Sequence, residues 1–188
     1  MDATEQLNHV LPDLTDTVRR IQVMQMNDPT PCSEFTVHGV LDHMMVGAAT
    51  FTYLFRGEEP PTIEPPAVYG WVPVKEFGEA MDDLLDAVSS PGATERTLST
   101  PMGDLPGETF ARFVAFDGLI HGWDLTTATG QPYDPPEELV ATVDEFARAA
   151  ITPDMRAAGM FAAPTEPPAD ADRLERLVAF SGRTVRGE

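Results

Sequence analysis

Between about Thr4 and Met26, Leu7, Val10, Leu11, Leu14, Val18 and Ile21 recur at intervals of three and four, which places them on one stripe of a helix. Pro12 lies inside this stripe, where a ring without an N–H delays or bends a helix. The loop Asn27-Asp28-Pro29-Thr30-Pro31-Cys32-Ser33 follows, and Thr36 is the expected N-cap of a second helix reaching about Arg56. Gly57 to Gly70 is acidic and proline-rich and reads as an extended surface loop.

A third helix is expected from about Val74 to Ser89, with Phe77, Met81, Leu84, Leu85 and Val88 on one face. The pattern then breaks into short Thr/Ser/Pro/Gly pieces between Gly92 and Gly107, with a small hairpin around Met102-Gly103-Asp104. A fourth helix runs from about Glu108 to Ala128 and stops at Gly130. A fifth opens on Asp134-Pro135, as N-cap and first-turn proline, and carries Leu139, Val140, Val143 and Phe146. A proline-rich segment from Thr152 to Pro168 precedes a last short helix, about Asp170 to Ser181. With no internal repeat and no long linker, residues 1–188 are expected to form one all-α domain, a helical bundle.

Composition narrows the function. Thirty-one acidic residues face 12 basic ones, a formal net charge of -19. Such a surface repels phosphate backbones and anionic headgroups, which argues against nucleic-acid and membrane partners. No stretch approaches the ~18 consecutive apolar residues of a membrane span, and Met1-Asp2-Ala3-Thr4-Glu5 lacks the basic start of a signal peptide. A single cysteine forms no internal disulfide, in keeping with a cytoplasmic location. Lys75 is the one lysine among twelve basic residues, and Ala, Gly and Pro abound, as in a high-GC genome.

Helical phase separates the four histidines. At about 100° per residue, His9 lies opposite the Leu7/Leu11/Leu14/Val18 stripe, and His38 points toward the side of Asp42 and Arg56. Both read as solvated. His43 shares the expected inward face with Val40, Gly47, Thr50 and Leu54, and Gly39 and Gly47 leave room beside its ring. Asp117 and His121 are four residues apart and project side by side, bordered by Phe110, Val114 and Ile120. An aspartate in an apolar stripe is costly to bury unless it is neutralised or hydrogen-bonded.

Three readings remain open. Asp117 and His121 form a buried hydrogen-bonded pair with His43 unrelated; or the three side chains hold a metal such as zinc with open coordination positions; or they form a ferrous site of two histidines and a carboxylate. Asp124, three residues after His121, is either a hydrogen-bond partner of a ligand imidazole or an exposed helix-end carboxylate. Cys32 lies several residues ahead of the second helix and reads as a structural thiol. Trp123 reads as helix packing and the nine methionines as core filler. The loops Gly57–Gly70 and Thr152–Pro168 are candidates for a cavity rim and otherwise plain surface connections.

Three segments carry a resemblance. They are Thr30-Pro31-Cys32-Ser33-Glu34-Phe35-Thr36-Val37 leading into Leu41-Asp42-His43-Met44; Asp117-Gly118-Leu119-Ile120-His121-Gly122-Trp123-Asp124-Leu125 with Ala128-Thr129-Gly130-Gln131; and Arg173-Leu174 to Ala179-Phe180-Ser181-Gly182-Arg183. In these the chain resembles the DinB-like superfamily and, within it, actinobacterial proteins related to mycothiol-dependent maleylpyruvate isomerase. The resemblance implies a DinB-like four-helix bundle binding a divalent metal, with His43, Asp117 and His121 on the ligand positions. Zinc leads, with nickel, manganese and iron as alternatives. The isomerase has Glu-x-x-x-His where this chain has Asp-x-x-x-His, one methylene shorter. It also carries a further C-terminal domain, for which 188 residues leave little room.

The family logic is that the metal binds mycothiol or a similar thiol as cosubstrate. A coordinated thiol is deprotonated and becomes a strong nucleophile at neutral pH. The expectation is therefore a thiol-dependent metalloenzyme, of S-transferase or isomerase type, whose partners are the thiol and a small electrophile. The net charge favours a neutral electrophile over a dianion. The oligomeric state is open, with a homodimer as one candidate. The competing class, a non-catalytic metal- or ligand-binding protein of the same fold, uses the same ligands.

Overall fold

A computed structural model describes residues 1–63, 71–100 and 102–185. These fall into two compact units, residues 2–132 and residues 133–185 together with Met1.

The larger unit holds α1 (Ala3–Arg19), α2 (Val37–Arg56), α3 (Val74–Val88), the hairpin strands β1 (Thr97–Thr100) and β2 (Gly103–Pro106), and α4 (Gly107–Thr129). Helix α1 packs on α3 and α4, while α2 packs on α3 and more lightly on α4. Leu7, Val10, Leu11, Leu14 and Val18 are buried, as their spacing predicts. Asp2 caps α1 in a reciprocal box with Glu5. Pro12 sits within α1 without ending it. The helix stops at Arg19, short of the expected Met26, and Val23–Gln25 forms a separate 3₁₀ turn.

Thr36 caps α2 by accepting from the Gly39 N–H, and Gly57 ends it at φ 76°, a left-handed backbone that glycine adopts without a Cβ penalty. Helices α1 and α4 approach closely at Gly118, where an added Cβ would lie 2.5 Å from Val10 Cγ1. The hairpin is antiparallel, pairing Leu98 with Leu105 and Thr100 with Gly103.

The smaller unit contains α5 (Glu137–Ala150), α6 (Pro153–Ala157) and α7 (Arg173–Phe180), with α5 packed on α7. Here two expectations are corrected. Helix α5 begins after Pro136 rather than at Asp134-Pro135, because a residue followed by proline is driven out of helical geometry. The Thr152–Pro168 segment holds a short helix, α6, capped by the Thr152 side chain and opened by Pro153. Guanidinium groups of Arg148 and Arg156 stack on the Phe180 ring at 4.9 and 4.6 Å. No described helix is long and apolar enough to cross a membrane.

Candidate metal centre

His43, in the second turn of α2, meets Asp117 and His121 of α4. His43 Nε2 lies 3.4 Å from Asp117 Oδ2, and His121 Nε2 lies 3.5 Å from Asp117 Oδ1. One donor atom from each of the three falls within 4.8 Å of the others. The setting differs from the expected inward face. The His43 and Asp117 side chains are 41% and 47% exposed, against 5% for His121. The lighter packing of α2 on α4 leaves this edge open.

Behind His121, Nδ1 lies 2.9 Å from Oδ2 of Asp124, which is wholly buried. An ionised carboxylate only accepts, so Nδ1 carries the proton and the Nε2 lone pair faces Asp117 and His43. Of the two readings of Asp124, the structure therefore shows the partner of an imidazole, and the exposed helix-end carboxylate is corrected. Its hydrogen bond is of ordinary length, whereas 3.4–3.5 Å at Asp117 exceeds the usual hydrogen-bond range. Ligands about 2.0–2.2 Å from a tetrahedral cation stand about 3.3–3.6 Å apart. Each histidine nitrogen stands at about that distance from a different oxygen of Asp117, and one donor atom from each residue lies within 4.8 Å of the others, a donor set that suits a divalent cation.

Phe35, a residue the sequence reading quoted without a role, forms the wall. Its ring stacks on His43 at 5.3 Å between centroids and 27° between planes, and lies edge-on to His121 at 6.1 Å. The loop before α2 holds it there: the Phe35 N–H donates to the Cys32 carbonyl, and Thr30 Oγ1 donates to the carbonyls of Cys32 and Phe35. Gly39 makes room, since a Cβ there would stand 3.2 Å from the Phe35 ring. Cys32 is half-buried in this loop, outside the three-residue cluster.

His38 is less solvated than its phase predicts. It is half-buried, with Nε2 3.5 Å from Asp42 Oδ1 and both atoms shut off from water. Burial raises the Asp42 carboxyl above its ordinary range, and His38 pulls it back only in part. His9 is exposed and Trp123 half-buried. Beside His43 lies a shallow cavity of about 480 Å³, lined by Phe35, Gly39, Asp42, His43, Val46 and Gly47. A second, of about 630 Å³, lies between the end of α2 and β1 and includes Gly57, Glu58, Glu59 and Pro60. Residues 57–60 thus line a cavity, while 64–70 of the same loop lie outside the described residues.

Comparisons with known proteins agree with this architecture. Two Mycobacterium tuberculosis proteins, uncharacterized protein MT0763 of strain CDC 1551 / Oshkosh and uncharacterized protein Rv0738 of strain ATCC 25618 / H37Rv, are each 35% identical over 168 residues. Each match covers 88% of this chain and 89% of the relative. The crystal structure of mycothiol-dependent maleylpyruvate isomerase aligns with a TM-score of 0.60 at 16% identity. A histidine-to-alanine variant of that enzyme gives 0.61 at 15%. Both cover 77% of this chain and 68% of the solved one, a likeness of DinB-like fold. The sequence profile of the mycothiol maleylpyruvate isomerase N-terminal domain matches residues 7–126, and the chain belongs to that family.

Proposed function

We propose that this protein is a divalent-metal-dependent enzyme that uses a low-molecular-weight thiol, mycothiol or a similar one, as cosubstrate in an S-transferase or isomerase reaction on an electrophile. The observation that carries this reading is the meeting of His43, Asp117 and His121 around one point, with the His121 tautomer fixed by Asp124. His43 and His121 through Nε2 and Asp117 through its carboxylate would hold the cation, zinc ahead of nickel, manganese or iron. When bound, the cation supplies the positive charge that keeps a thiol deprotonated at neutral pH.

The chain's own side chains do the remainder. Asp124 orients His121 and raises the basicity of its free nitrogen. Phe35 holds the His43 ring by stacking and covers one of its faces. Exposure of His43 and Asp117 leaves an approach from solvent for thiol and electrophile. Family membership and fold support the thiol, since the solved neighbours are named as mycothiol-dependent.

The test is elemental analysis of wild type, His43→Ala and Asp117→Ala, alongside thiol-dependent conversion of a panel of electrophiles with and without chelator. Stoichiometric metal in the wild type, its loss in both variants and a chelator-sensitive rate are expected. Unchanged metal in both variants overturns the ligand assignment. Metal retention without any thiol-dependent rate assigns the chain to the non-catalytic binding class.

A further inference from the structure

The cavity beside His43 has a composition that selects its occupant. Gly39, Asp42, His43, Val46 and Gly47 recur at three- and four-residue intervals, so they form one face of α2. Gly39 and Gly47 stand one turn to either side of His43 and open a trough along its ring. Phe35 walls one end and Val46 adds an apolar flank. At about 480 Å³ the trough is of small-molecule size.

No arginine or lysine is among the described residues lining it. The second cavity on α2, which includes Thr50 and Leu54 further along the helix, likewise has no lysine or arginine among the described residues lining it and carries Glu58 and Glu59. Arg112 pairs with Glu108 at 2.7 Å, and Arg96 donates to the carbonyls of Phe55 and Gly92. The ionisable side chains in the trough are His43 and Asp42, and Asp42 already faces His38.

We propose that the trough of Phe35, Gly39, His43, Val46 and Gly47 is the electrophile subsite, and that it takes an uncharged molecule with an apolar body while rejecting dicarboxylates. This rests on the thiol-dependent metalloenzyme reading. With a divalent cation and one thiolate bound, their charges and that of the Asp117 carboxylate would sum to zero, and the centre would add no net attraction for a carboxylate. The overall charge of -19 then acts against an anion. An apolar body, in contrast, gains by covering Val46 and the Phe35 ring.

The experiment compares dimethyl maleate with maleate as electrophile for metal-loaded enzyme and thiol. Each rate is divided by its uncatalysed rate, and both the thioether adduct and the trans isomer are followed. In the adduct the sulfur bonds one alkene carbon and a proton goes to the other, with no group leaving. The diester should be favoured at least tenfold in kcat/KM. Gly47→Leu, which fills the trough, should lose about tenfold or more on the diester at unchanged metal content, and Val46→Arg should shift the preference about tenfold toward maleate. Equal or better use of maleate by the wild type, or an unaffected Gly47→Leu, overturns the subsite.

Saturation-transfer NMR with unreactive diethyl succinate against succinate reads the trough without turnover. Binding of the diester alone, lost in Gly47→Leu, supports the subsite even in a protein that turns nothing over, which overturns only the thiol-dependent reading. Binding of succinate as well as the diester, or of neither, overturns the subsite.

Discussion

Nδ1 of His121 is hydrogen-bonded to the carboxylate of Asp124 at 2.9 Å, one turn further along α4 and wholly buried. The bond fixes which nitrogen of the imidazole carries the proton, and so which one faces the open edge of the bundle. It also gives a buried aspartate a donor, without which its charge would be costly to hold away from water.

Asp124→Asn should therefore weaken metal binding without removing a ligand. The amide keeps the size of the side chain but not the charge that polarises His121. A 10–100-fold loss of affinity is expected, about 1.4–2.7 kcal/mol, as for other partners of ligating histidines. Competition with a chromophoric chelator measures it, and wild-type affinity in the variant would break the link from Asp124 through His121 to the centre.

Asp117 stands between the two imidazoles, one oxygen toward each. Asp117→Asn retains that shape and loses the charge, and should bind metal at least tenfold more weakly. Asp117→Glu keeps the charge and adds the methylene of the isomerase pattern, so its loss should be smaller. Chelator competition ranks the two. The reverse order would mean that reach, rather than charge, governs the site.

Gly118 lets α4 close on α1. A Cβ there would approach Val10 Cγ1 to 2.5 Å, and a β-branched neighbour cannot swing away easily. Gly118→Ala should cost about 1–3 kcal/mol through overpacking. In a double-mutant cycle with Val10→Ala, denaturant unfolding should show part of that loss recovered, since the pair is in contact. Strict additivity would place the strain elsewhere.

Asp42 makes stability depend on pH. Its folded-state pKa is raised above the ordinary 3.8, first by burial. The folded state thus holds this proton more tightly than the unfolded chain. The contribution favours folding below the unfolded value and is lost as pH rises through the folded one. Asp42→Asn has no such loss. In metal-free protein the Tm of the variant should gain on the wild type as pH rises above the ordinary carboxylate value of 3.8. A difference that does not change with pH would remove Asp42 from the pH dependence.

Much of the helical framework was legible in periodicity. The Leu7-to-Val18 stripe, the Thr36 cap and Gly130 mark elements where local preference and tertiary packing agree. Element ends were less so. The Pro135-Pro136 step and the Thr152-Pro153 start turn on backbone restrictions that act over one or two residues, beneath the resolution of a hydrophobic pattern. At the site, the four-residue spacing of Asp117 and His121 sets them side by side on any helix. Helical phase left open whether His43 joins them, and the resemblance put all three on ligand positions.

The sequence by itself determined the helical class, the acidic surface and the neighbouring places of Asp117, His121 and Asp124 on one helix, because these follow from composition and a fixed 3.6-residue turn. Only the tertiary structure decided that α2 brings His43 within 3.4 Å of Asp117, that Asp124 is buried against His121, that Phe35 walls the centre, and that the cluster opens to solvent. Distances between helices are set by how side chains such as Val10 and Gly118 fit together, and no periodicity along one helix encodes that fit.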